Sequence, residues 1–99
     1  LALLVSENKY GMHSFDAGTS WGFLALQATE EGLITHPMGG MDRAKAREVL
    51  GVPDEYDIQI AIAIGYQGDA SELSEALQAR EVPSTRKPLE EIVFEGSFK

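Results

Sequence analysis

Apolar positions run without a break through Leu1, Ala2, Leu3, Leu4 and Val5, the pattern of a buried strand. Residues 6–14 are polar and include Gly11, so they read as a loop. A long helical stretch follows, with Ser14 or Asp16 as its expected cap and Gly32 as its stop after about Glu31. Phe15, Gly18, Gly22, Ala25 and Leu26 fall on one stripe of that helix, and Trp21, Leu24 and Ala28 widen it. A helix this apolar around its circumference is expected to be buried. Its small residues would let another helix, a partner subunit or a flat ligand come close to the backbone.

Pro37-Met38-Gly39-Gly40 reads as a loop whose bare backbone could present N–H groups to a ligand. The plainer alternative is a glycine helix stop followed by an ordinary connection. Asp42 is a good N-cap for a second helix over 43–50, ended by Gly51 with Pro53 just beyond. Residues 57–66 carry Ile58, Ile60, Ile62 and Ile64 with Ala61 and Ala63 between them. With both faces apolar, this reads as a central strand covered on both sides. Residues 65–69 form a loop, and 71–80 a short polar helix starting at a Ser or Asp cap. From Val82 the chain turns into an extended arm with two prolines. A short strand is expected at Ile92-Val93-Phe94, docked through Ile92 and Phe94.

At 99 residues the chain is expected to form one domain, near the low end of what folds alone. A hydrophobic fraction of 43% and a charged fraction of 24% belong to a globular chain rather than a disordered one. No apolar run is long enough to cross a membrane, and Leu1 to Val5 is too short for a secretory signal. The opening on that run, with no methionine, suggests that an upstream segment is missing. The absence of cysteine excludes disulfides, thiol catalysis and Cys-based metal sites, and a cytoplasmic location is expected. A net charge of −8 argues against nucleic acid and anionic membrane as partners. An anionic ligand would need a local cation, and Arg86-Lys87 offers one.

No side-chain machinery for catalysis stands out. His13 and His36 have no partner at a metal-ligand spacing, so no metal site is expected. No serine sits in a Gly-x-Ser-x-Gly turn, and there is no Walker loop or Gly-x-Gly-x-x-Gly. Glu30-Glu31 and Glu90-Glu91 read as solvated surface pairs. Taken in order, the motifs are the small-residue helix, Thr35-His36-Pro37-Met38-Gly39-Gly40-Met41-Asp42, a helix ending Val49-Leu50-Gly51-Val52-Pro53, the Ile/Ala strand ending Ile64-Gly65-Tyr66, and Ser84-Thr85-Arg86-Lys87-Pro88. This ordered set resembles the C-terminal half of the nitroreductase family of FMN-dependent oxidoreductases.

The resemblance implies an α+β fold, a nitroreductase-like mixed sheet with flanking helices, of which this chain carries about half the usual domain. It implies an intertwined homodimer with the 16–31 helix in the dimer core, and FMN bound at the subunit interface. The cofactor contacts it implies are Pro37, Met38, Gly39 and Gly40 along the flavin ring, with a backbone N–H facing N5, and Arg86 on the phosphate. NAD(P)H would be the electron donor, and a nitroaromatic, a quinone or a similar small molecule the acceptor. No side-chain acid, base or nucleophile is required, since flavin carries the reactivity and the protein supplies position. The Arg-rich segment of the family's N-terminal half is not present, so the chain looks like a fragment that binds FMN weakly or not at all. The rival expectation is an acidic dimerisation or binding module of the same ancestry, without catalysis.

Overall fold

A computed structural model describes all residues, 1–99. The chain divides into two compact units, Leu1–Gln67 and Gly68–Lys99.

The first unit holds three strands and two helices: β1 (Ala2–Glu7), α1 (His13–Glu30), β2 (Ile34–Met38), α2 (Arg43–Leu50) and β3 (Tyr56–Gly65). Together they make the expected α+β fold. The strands are ordered β1-β3-β2 and both pairings are antiparallel. β3 is therefore central, as its apolar run predicts. Ala61 and Ile62 point to opposite faces, and both are buried. The cover gives out toward the end of the strand, where Ile64 is exposed.

β1 and β3 lose register once. Leu4 lies opposite Ile60 and Val5 opposite Ile58, which leaves Gln59 as the extra residue of a bulge. At the other edge β2 runs from the Ile34–Gly65 pair to the Met38–Ala61 pair. Pro37 and Met38 thus belong to a strand, not to the loop expected from the sequence. Proline in a strand is tolerated because β2 is an edge, where a missing N–H breaks no interior ladder.

α1 packs against all three strands. Its inner face is Ala17, Trp21, Leu24 and Ala28, spaced four, three and four residues apart; Ala17 and Ala28 are buried and the other two half-buried. The stripe singled out in the sequence lies elsewhere: Phe15, Gly18, Gly22 and Leu26 are exposed. The helix is therefore not buried all round within this chain. It has two apolar faces, and the sheet covers one of them.

The start of α1 also differs from expectation. Neither Ser14 nor Asp16 caps it; the N-cap is Met12, with no side-chain hydrogen bond. The helix starts earlier because His13 Nδ1 lies 2.8 Å from Ser6 Oγ, anchoring its first residue to β1. The end follows the sequence. Gly32 takes φ 76°, its N–H bonds Thr29 O, and the Leu33 N–H bonds Ala28 O, the paired closure of a Schellman motif. α2 also follows the sequence: Asp42 Oδ1 accepts the Lys45 N–H at 3.0 Å, and Gly51 ends the helix in the left-handed region.

The second unit has little regular structure. The expected 71–80 helix is split into a 3-10 turn over Ala70–Glu72 and one α turn, α3 (Glu75–Gln78). Both begin on side-chain caps, Asp69 and Ser74. The bond from the Ser71 backbone N–H, with help from its side chain, holds the Asp69 carboxyl below its ordinary value. No strand forms at Ile92-Val93-Phe94. Pro88 leads instead into a 3-10 turn over Leu89–Glu91, and the N–H groups that a strand would offer outward bond back to Leu89 O. Ile92 and Val93 are exposed, so the expected docking through Ile92 fails; Phe94 alone is half-buried, packed edge-on to Phe98 at 5.1 Å.

Candidate functional site

The sequence places its candidate ligand contacts on two segments, and the structure puts them in different units. Pro37, Met38, Gly39 and Gly40 form the end of β2 and the turn that leads to the Asp42 cap of α2. Arg86 belongs to the second unit.

Neither Gly39 nor Gly40 has a positive φ, and a Cβ built on either would meet nothing within 4 Å. Nothing within the chain thus demands glycine at these positions. What glycine leaves there is uncovered backbone. No turn or side-chain hydrogen bond occupies the N–H groups of Gly39, Gly40 or Met41. Unspent donors on a bare, open turn fit the edge of a flat ligand that carries acceptor atoms.

Arg86 is exposed. Its Nη1 bonds Ser84 Oγ at 2.6 Å, while Nε and Nη2 have no protein acceptor. Two free donors on one planar fork suit a phosphate. Both halves of the expected FMN contact set are therefore chemically competent for their parts of that group.

Three residues near the turn were not singled out in the sequence. Arg43 donates to Gly39 O from Nη1 at 3.1 Å, to Ile58 O from Nε at 3.1 Å and to Gln59 O from Nη2 at 3.0 Å. Arg47, one turn along α2, donates to Val52 O, Pro53 O and Tyr56 O. Gln59, the bulge residue, donates from Nε2 to Ser6 Oγ and Ser14 Oγ. A sequence signal for Arg43 exists. It is the first residue of α2, where the positive end of the helix dipole disfavours a cation. A cation placed against that rule points to acceptors elsewhere.

Two clefts near these residues offer less. One is bordered by Ser14, Arg43, Arg47, Asp57, Ile58 and Gln59, but its arginines are committed to backbone carbonyls. The other, about 210 Å³, lies between the start of β2 and the end of β3 and is mostly apolar. It includes His36, which is exposed and has no partner that would make it a proton donor.

A three-stranded antiparallel sheet backed by one long helix, with a bare glycine turn leaving its edge strand, defines part of an α+β domain. The sequence profile of the nitroreductase family matches residues 5–66. The chain belongs to the nitroreductase family. It is 37% identical over 84 residues to an uncharacterised 15.4 kDa protein of Mycolicibacterium smegmatis, a match covering 84% of this chain and 56% of that protein. Among solved structures it superposes on an oxidoreductase containing FMN with a TM-score of 0.93 and 37% identity, over 98% of this chain and 54% of the other. A nitroreductase family protein from Streptococcus pneumoniae matches with a TM-score of 0.65 and 28% identity, over 84% of this chain and 36% of its own. The chain thus spans about half the length, or less, of the relatives it matches.

Proposed function

We propose that this chain is the ring-facing part of an FMN-dependent oxidoreductase of the nitroreductase type. Electrons would pass from NAD(P)H through the flavin to a nitroaromatic, a quinone or a similar small acceptor. The observation that carries this reading is the superposition of nearly the whole chain on an FMN-containing oxidoreductase at 37% identity. When bound, FMN supplies the hydride chemistry. The chain's own part is to hold and orient. Met38 lies in the strand ladder, so the donors available to the ring are the N–H groups of the turn, chiefly Gly39 and Gly40. Arg86 contributes two guanidinium donors to the phosphate.

The same reading includes a homodimer. The outer face of α1 exposes Phe15 at 68%, Phe23 at 69% and Leu26 at 70%. Burying each in a partner would contribute about 1.5–3 kcal/mol.

A second reading is favoured by the net charge of −8 and the uncovered outer face of α1: a non-catalytic acidic dimerisation or binding module of the same ancestry. A flavin titration, followed by fluorescence quenching, separates the two. It is run on this chain alone and on the chain completed by the remaining half of a full-length relative. The enzyme reading expects weak or no binding alone, with binding and slow NAD(P)H oxidation turning fast on completion. If the completed protein still binds no flavin, the module reading replaces it.

A further inference from the structure

β2 stops at Met38, opposite Ala61. Continuing its register would set Gly39 against Ile60, Gly40 against Gln59 and Met41 against Ile58, and the strand would then bond alternate residues of that stretch of β3. Arg43 takes two of its carbonyls instead. Its Nε and Nη2 take the carbonyls of Ile58 and Gln59, and its Nη1 takes the carbonyl of Gly39. The side chain stands in for the missing stretch of edge strand and grips the turn that replaced it.

This grip decides which way a peptide faces. The bond between Gly39 and Gly40 is trans, so its C=O and N–H point in opposite directions. With Gly39 O held by Arg43, the Gly40 N–H must point away from that guanidinium. Nothing else fixes it. A peptide flanked by two glycines rotates with little steric resistance, and no neighbouring side chain crowds either position. The opposite orientation would present a carbonyl where the donor now lies.

We propose that Arg43 is the positioning residue of this site: it locks the 39–40 peptide with its N–H outward, so that the turn meets a ligand as a donor. This rests on the flavin reading for the identity of the ligand, but the orientation itself belongs to the protein alone. Arg43 touches no ligand in this account; it acts through Gly39 and Gly40.

The test is NMR of the free 15N-labelled chain, comparing wild type, Arg43→Gln and Arg47→Gln. Arg47→Gln removes an equal set of carbonyl bonds from the same helix, but none of them reaches the glycine turn. The expected result is exchange broadening or doubled amide signals at Gly39, Gly40 and Met41 in Arg43→Gln, and unchanged signals there in Arg47→Gln. Should Arg43→Gln fail to fold, Arg43→Lys, which keeps the charge but not the three-way fork, is read in the same way. FMN titration of the completed protein adds the ligand side. If the outward orientation falls to about a tenth of the population, apparent affinity falls about tenfold. Unaltered turn signals in the Arg43 variant overturn the proposal, whatever happens to flavin. If wild type itself binds no FMN, the flavin reading falls, and the turn signals still decide whether Arg43 sets the peptide.

Discussion

Gly39 and Gly40 are glycines for a different reason from Gly51. Gly51 sits at φ 64°, where an L side chain is strained. Gly51→Ala is expected to lower stability by about 1–2 kcal/mol, read from the urea midpoint. Gly40 has neither a positive φ nor a crowded Cβ position. Gly40→Val should therefore leave the melting temperature nearly unchanged while weakening FMN binding in the completed protein, because its side chain covers backbone that a ring must approach. A loss of stability as large as that of Gly51→Ala would show that Gly40 serves the fold rather than a ligand. Arg86→Ala removes the free fork and is expected to cost about 1.5–3 kcal/mol of FMN affinity, the scale of charge-assisted hydrogen bonds. An equal affinity for FMN and riboflavin in wild type would remove the basis for that role.

Among the elements, α2 was the most legible in the sequence. Its cap, its span and its glycine stop are local chemistry, and each is found where the residues put it. Asp42→Ala should accordingly cost about 1 kcal/mol in a chemical denaturation series, through loss of the Lys45 N–H acceptor. The same local logic fixed the end of α1 at Gly32. What the sequence could not give was set by contacts between distant residues. α1 begins at His13 because Ser6, on another element, meets it. β2 was missed because Pro37 reads as a breaker unless its strand is known to be an edge, and edges are a property of the sheet order. The strand expected at 92–94 had the right residue types, but the 3-10 turn that follows Pro88 spends the Ile92 and Val93 N–H groups on Leu89 O. The glycine turn was legible as bare backbone; its donors could not be assigned a direction, because the arginine that bonds the Gly39 carbonyl also reaches across to β3.

At the scale of the whole molecule, α1 carries one apolar face too many. Ala17 and Ala28 are buried, while Phe15, Phe23 and Leu26 face outward. The expected outcome is a dimer by sedimentation at tens of micromolar. Gly22 lies on the uncovered side, and a Cβ there meets nothing within 4 Å. Gly22→Leu should thus weaken the dimer by overpacking without disturbing the fold of one chain; a variant that stayed as dimeric as wild type would move the interface elsewhere. No helix is long and apolar enough to cross a membrane. The sheet has two rims of unequal character. On the β2 rim Pro37 has no N–H to lend, so an approaching strand finds its hydrogen-bond row broken at the middle. The β1 rim, Ala2–Glu7, has no such gap and is apolar over most of its length. The sheet is therefore directional as a template: a further strand would find an unbroken row on β1 and a broken one on β2. Proline at position 37 would thus guard the rim beside the glycine turn against another chain. A Pro37→Val variant that scattered light on concentration, while wild type stayed clear, would display that safeguard by its removal.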